Sequence, residues 1–121
     1  MNEHTVKSFD DDISQLRGLI AQMGGLAEVA IQGAMAALVR IDAASAQKVI
    51  EDDPKIDALE AEVERLAVKI IALRAPMADD LREVVAAMKI SGVVERIGDY
   101  AKSIARRSGH VEGRSKIEPL T

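Results

Sequence analysis

The 121-residue chain has one Phe, one Tyr, no Trp and no Cys, and a formal net charge of −4. That length allows one domain with a single core, and the acidic balance weighs against a nucleic-acid-binding surface. The scarcity of aromatic residues weighs against a β-sandwich and against base stacking, and the lack of Cys excludes disulfides, thiolate metal sites and a Cys nucleophile.

The segment Met1–Leu16 has no apolar stretch followed by a small-residue cleavage site, so no secretory signal is read there. No apolar run approaches the ~20 residues of a membrane span, and a soluble, cytoplasmic protein without membrane insertion is expected. Phe9, Ile13, Leu16, Ile20, Met23, Ala27, Ala30, Ala34, Ala37 and Ile41 then recur in steps of three and four, a heptad seam. This predicts a first helix over about 5–41, roughly 50 Å long at about 1.5 Å per residue. Its seam turns from bulky residues to Ala, so neighbouring helices should approach most closely near Ala27–Ala37. Gly24-Gly25 costs roughly 1 kcal/mol per residue in a helix, and marks a bend or close crossing through which the helix continues.

Asp42 is placed to cap a short helical piece over 43–51. Glu51-Asp52-Asp53-Pro54 reads as a break and restart, with Asp53 as N-cap and Pro54 in the first turn of a helix over 54–74. Ile56, Leu59, Val63, Leu66, Ile70 and Leu73 are its seam. Pro76 ends that helix by restricting the residue before it, and opens the third helix, expected over 77–107 with Asp79 and Asp80 in its first turn. Met77, Leu81, Val84, Val85 and Met88 form one apolar stripe of the third helix; Ile90, Val94, Ile97, Ala101 and Ile104 form another on the opposite side. The pattern predicts an all-α, elongated three-helix bundle over 1–108, with Ser, Gly and Pro marking 109–121 as a flexible linker or tail.

Two acidic features stand out. Glu95 and Asp99 lie one helical turn apart on the continuation of the first stripe, where like charges repel by roughly 0.2–0.5 kcal/mol. Asp53, Asp57, Glu60 and Glu64 form a second file flanking the core seam of the preceding helix. If these helices lie side by side, Asp53, Asp57, Glu95 and Asp99 converge, an oxygen-rich set suited to Mg²⁺, Mn²⁺ or iron. Against this, Asp53 is a good N-cap, Asp57 and Glu60 are ordinary first-turn acids, and acidic stripes are common solvated faces. The two histidines, His4 and His110, lie near the termini, so a Glu-x-x-His di-iron site is absent. The serines have no paired His on an ordered element, and there is no phosphate-cradling Gly-rich loop, so no enzyme is expected. Arg74, Arg82 and Arg96 suit phosphate or a partner's acids, or pairing with Asp79, Asp80 and Glu95.

The ordered words Val49-Ile50, Asp53, Ile56-Asp57, Leu59-Glu60, Ala72-Leu73-Arg74-Ala75-Pro76-Met77-Ala78-Asp79-Asp80-Leu81-Arg82, Met88-Lys89-Ile90 and Glu95-Arg96-Ile97-Gly98-Asp99 resemble the first half of the PhoU family, over about Phe9 to Arg107. The resemblance implies a three-helix bundle that occurs twice in tandem in a full PhoU. It implies a cytoplasmic negative regulator of phosphate uptake and of the phosphate-starvation two-component response. Such proteins act between the phosphate ABC transporter and the sensor histidine kinase. The family's acidic motif, which can hold iron, zinc, manganese or magnesium, maps onto Asp53-x-x-x-Asp57 and Glu95-x-x-x-Asp99. One copy is present where the family has two, so the chain is expected to be a fragment or a short member, with Lys116–Thr121 starting the connector. A homodimer would supply the second bundle. The competing expectation is a structural helical oligomerisation module without metal or regulatory site.

Overall fold

Three runs of helix-compatible sequence, separated by short connections, account for the architecture of the computed structural model, which describes residues 3–115 and side-chain surroundings for 7–109. Helix α1 spans Glu3–Arg40, α2 spans Ala43–Arg74 and α3 spans Asp79–Ser115. Each packs against both others, giving an all-α, elongated three-helix bundle. At about 1.5 Å per residue the 38 residues of α1 span about 57 Å.

The seam of α1 is buried as the heptad pattern predicts as far as Ala37: Ile13, Leu16, Met23, Ala27, Ala30, Ala34 and Ala37 are all in the core, with Phe9 and Ile20 half-buried against it. Ile41, its expected last member, is exposed beyond the helix end with a positive φ of 55°. The helix runs through Gly24-Gly25, and a methyl added at either would meet open space, so neither marks a close crossing. The close approach lies further on. Ala30, Ala34 and Ala37 pack with Ala46, Val49, Ala101 and Ala105, and a Cβ at Gly33 would fall 2.7 Å from Val49 Cγ2. Small residues there let the three backbones draw together. By length and composition α1 passes over Lys7–Arg40 for a helix that could cross a bilayer, as the core helix of a bundle also can. In the bundle its buried stripe has a protein partner instead, on α2 and α3.

Asp42 caps α2 as expected, its carboxylate accepting from the backbone N–H groups of Ala44 and Ser45 and from the Ser45 hydroxyl at 2.8 Å. The expected break at residues 51–54 is absent: the pieces 43–51 and 54–74 are one helix, with Pro54 inside it. Proline costs about 3 kcal/mol in a helix interior. Burial of one uninterrupted stripe, Ala46, Val49, Asp53, Ile56, Val63, Leu66, Ala67 and Ile70, offsets it, and Pro54 itself faces solvent. Asp53 is therefore not an N-cap but a residue of the core seam. Leu73, expected in that seam, is exposed beyond its end.

The helix ends at Arg74, with Ala75 in the left-handed region (φ 46°) and its N–H returning to the Ile71 carbonyl at 3.2 Å. Pro76 does not open the third helix. Ala78 also has a positive φ of 50°, incompatible with helix, so α3 starts at Asp79 and carries Asp79 and Asp80 in its first turn. It continues past the expected end at residue 107, through the first part of the segment read as a linker, to Ser115; residues 116–121 lie outside the described ones.

The buried face of α3 also differs from the apolar stripes in the sequence. Of the first stripe Val84 is buried, Met88 is half-buried, and Met77 is 79% exposed. Beyond Met88 the core face runs through Ser91, Gly98, Ala101, Ala105 and Ser108. Ser91 and Ser108 satisfy their hydroxyls locally, donating to the carbonyls of Met88 at 2.8 Å and Ala105 at 2.6 Å. Val94, Ile97 and Ile104 flank the core half-buried, whereas Ile90 is exposed.

Candidate functional site

The acidic cluster forms where the middle of α2 crosses α3. Gly98 is buried at this crossing: a Cβ on it would lie 2.9 Å from Ile56 Cδ1 and 3.4 Å from Asp53 Oδ1. Absence of a side chain there lets α3 settle onto Ile56 and brings Asp99, the next residue, beside the acids of α2. The four-residue spacing of Asp53 and Asp57 then turns both carboxylates toward the same groove.

Asp53, Asp57 and Asp99 each offer one carboxylate oxygen, and these three oxygens all lie within 4.8 Å of one another. The set grades outward, from Asp53 at 3% exposure through the half-buried Asp99 to the exposed Asp57. Glu95, the fourth residue expected from spacing, is not part of this triad. It is half-buried one turn along α3 and shares a hydrogen bond with Asp99, which, with burial and the charges of Asp99, Glu60 and Asp57, raises its pKa to about 7. At neutral pH Glu95 is thus partly protonated, a donor to the Asp99 carboxylate. Glu60 belongs to the same field. Burial first, then the charges of Glu64, Asp57 and Asp99, raise its pKa.

The donor chemistry fits a hard cation. Three carboxylate oxygens from two helices, with neither imidazole nor thiolate among them, match the preference of Mg²⁺, Mn²⁺ and iron for oxygen better than that of Zn²⁺ for nitrogen and sulfur. The upward shifts come first from the Asp99 hydrogen bond at Glu95 and from burial at Glu60; the smaller share due to neighbouring acids is what a bound cation would relieve. Asp53, Asp57 and Asp99 would hold such an ion, with Glu95 one turn away.

Two residues of the cluster were not chosen from the sequence. Glu60 was visible in the acidic file of α2 but was not carried into the candidate set. Lys102 was missed altogether: its Nζ donates to Asp53 Oδ2 at 3.1 Å, and its side chain is 26% exposed. Three positions after Asp99 on α3, it was legible only as a charge of unknown partner. Two of the three arginines considered for phosphate pair with acids of the chain. Arg74 pairs with Asp12 at 3.3 Å, tying α2 to α1, and Arg82 pairs with Asp79 at 3.2 Å on the surface.

The fold is thus an all-α three-helix bundle with an acidic groove at a glycine-mediated helix crossing. Residues 20–108 match the PhoU domain, and the chain belongs to the PhoU family. It is 52% identical over 117 residues to a phosphate-specific transport system accessory protein PhoU homolog of Zymomonas mobilis, an alignment covering 97% of this chain and 49% of that protein. It is 47% identical over 108 residues to the Caulobacter vibrioides homolog, covering 89% of this chain and 47% of that protein. The corresponding protein of Serratia marcescens is 38% identical over 106 residues, covering 88% of this chain and 44% of its own length. The chain thus spans about half the length of these relatives.

Proposed function

We propose that this chain is a regulatory PhoU bundle of phosphate uptake, working by binding rather than catalysis. In this reading it acts in the cytoplasm as an adaptor between the phosphate ABC transporter and a sensor histidine kinase, and keeps the phosphate-starvation response off when phosphate is plentiful. Support comes from the family, whose matched members are named accessory proteins of a phosphate-specific transport system. The observation that carries a ligand-dependent version is the convergence of Asp53, Asp57 and Asp99 across the α2–α3 crossing. Asp53, Asp57 and Asp99, with Glu95 joined to them through its hydrogen bond to Asp99, are proposed as its metal site, with iron, manganese or magnesium favoured over zinc by the all-oxygen donors.

A homodimer is part of the proposal. The second half of α1 keeps Val29, Ile31, Met35, Leu38 and Val39 at the surface, with Val39 72% exposed, an apolar face of the kind that marks association surfaces. The same face would serve the alternative, a purely structural oligomerisation module. The experiment that separates them is deletion of the gene with a phosphate-starvation reporter read in phosphate-replete medium. Derepression, reversed by the wild-type gene, supports the regulator; a reporter that stays silent sinks it and leaves the structural module.

A further inference from the structure

Asp53 is the most deeply buried acid of the cluster, and the one whose charge is met directly by a lysine. It occupies a core position of the α2 seam between Val49 and Ile56, where an ionised carboxylate without a partner would be strongly destabilising. Lys102 supplies that partner from α3 at 3.1 Å, on Oδ2, while Oδ1 faces Gly98. The same carboxylate contributes to the triad whose oxygens lie within 4.8 Å of one another. An ammonium and a multivalent cation would then share one carboxylate and repel across a short, partly desolvated distance. The lysine has a way out. Its stem is long and flexible, it is 26% exposed, and its head group can move to water without disturbing the helix backbone.

We propose that Lys102 is the built-in competing cation of this site: it neutralises Asp53 in the metal-free protein, leaves Asp53 when a metal is bound, and so sets the metal affinity. The inference rests on the metal reading of the cluster and adds a residue that tunes it. It gives the site two states, one in which an internal ammonium meets Asp53 and one open to an external ion. Lys102 acts here as a positioning residue through Asp53, not as a ligand. A merely structural ion pair would behave differently, because its loss would loosen the α2–α3 crossing and weaken any site built on it.

The test is calorimetric titration of Mn²⁺ into the wild-type chain, Lys102→Gln and Lys102→Met, with folding of each checked by circular dichroism. The expected result is Mn²⁺ binding at least about tenfold tighter in the variants than in wild type, together with a lower melting temperature without metal and a larger rise on adding it. Tight binding in wild type with equal or weaker binding in the variants overturns the role of Lys102 and leaves the metal reading standing. Absence of Mn²⁺ binding in wild type and variants alike overturns both. Should neither variant fold, amine acylation of the wild-type protein followed by mass spectrometry decides the matter. Lys102 labelling should rise several-fold with Mn²⁺, and unchanged or slower labelling overturns the proposal.

Discussion

Glycine-to-alanine substitution at two places in α1 should have opposite effects. At Gly24 a new methyl meets nothing within 4 Å, so Gly24→Ala gains the intrinsic helix preference of Ala over Gly, about 1 kcal/mol. At Gly33 the same methyl would sit 2.7 Å from Val49 Cγ2, with the Ser45 carbonyl at 3.8 Å. Val49 is buried on α2, and a valine in a helix has one strongly preferred rotamer, so its methyl cannot swing aside. The helices must separate instead, and overpacking of a well-filled core costs about 1–3 kcal/mol. Set against the same 1 kcal/mol propensity gain, Gly33→Ala should destabilise by up to about 2 kcal/mol. The gap between the variants, about 1–3 kcal/mol, is free of the shared propensity term. Urea denaturation followed by circular dichroism measures both midpoints, and an unchanged m-value licenses the comparison. If Gly33→Ala proves as stabilising as Gly24→Ala, the close packing of the Ala-rich half of the bundle is wrong.

Pro54→Ala should stabilise by about 1–3 kcal/mol, since proline removes a backbone donor inside α2 at a solvent-facing position; a loss of stability in denaturation would mean the proline shapes a bend the core needs. Glu95 has a folded pKa of about 7, above the ordinary glutamate value of 4.5, through its hydrogen bond to Asp99, burial and neighbouring acids. The folded state therefore holds the proton more tightly, and the contribution of Glu95 is full below pH 4.5 and is lost as pH rises toward 7. The upper bound is about 3 kcal/mol, reduced by solvent at the groove edge. Glu95→Gln should flatten that fall in stability–pH curves; an unchanged slope would refute the assignment. Asp53→Ala without metal should cost about 3–5 kcal/mol by leaving Lys102 without its buried partner, reduced to the extent that Lys102 reaches water, whereas Asp57→Ala at the exposed edge should change stability by less than about 0.5 kcal/mol. Equal losses in thermal melts would contradict the graded burial of the cluster.

How far the molecule can be read from its residues depends on what fills each seam. The α1 seam was legible almost residue by residue because Ile13, Leu16 and Met23 are bulky and the alanines that follow keep their phase. The seam of α3 was hidden because Ser91, Gly98, Ala105 and Ser108 are small, and a hydropathy pattern favours the exposed Ile90 and the flanking Ile97 over residues that allow close approach. In α2, Asp-Asp-Pro carries strong local signals for a helix start. Those signals lost to the continuous burial of Val49, Asp53 and Ile56, a tertiary effect that no window around Pro54 contains. Spacing brought Asp53, Asp57 and Asp99 together correctly as one face to watch. It could not separate Glu95 from the triad or find Lys102, because both depend on the rotation of α3 against α2, set by Gly98 on Ile56.

Cation binding in the acidic groove between α2 and α3 separates a ligand-dependent bundle from one with a merely solvated acidic face. Titration of Mn²⁺ and iron into the wild-type chain and a Glu95→Ala/Asp99→Ala double variant, by calorimetry with elemental analysis of the dialysed protein, tests this most directly. A cation site gives binding well below millimolar in wild type and its loss in the double variant, with the helical circular dichroism signal retained. Wild-type binding no tighter than millimolar, or tight binding that survives in the double variant, would contradict it.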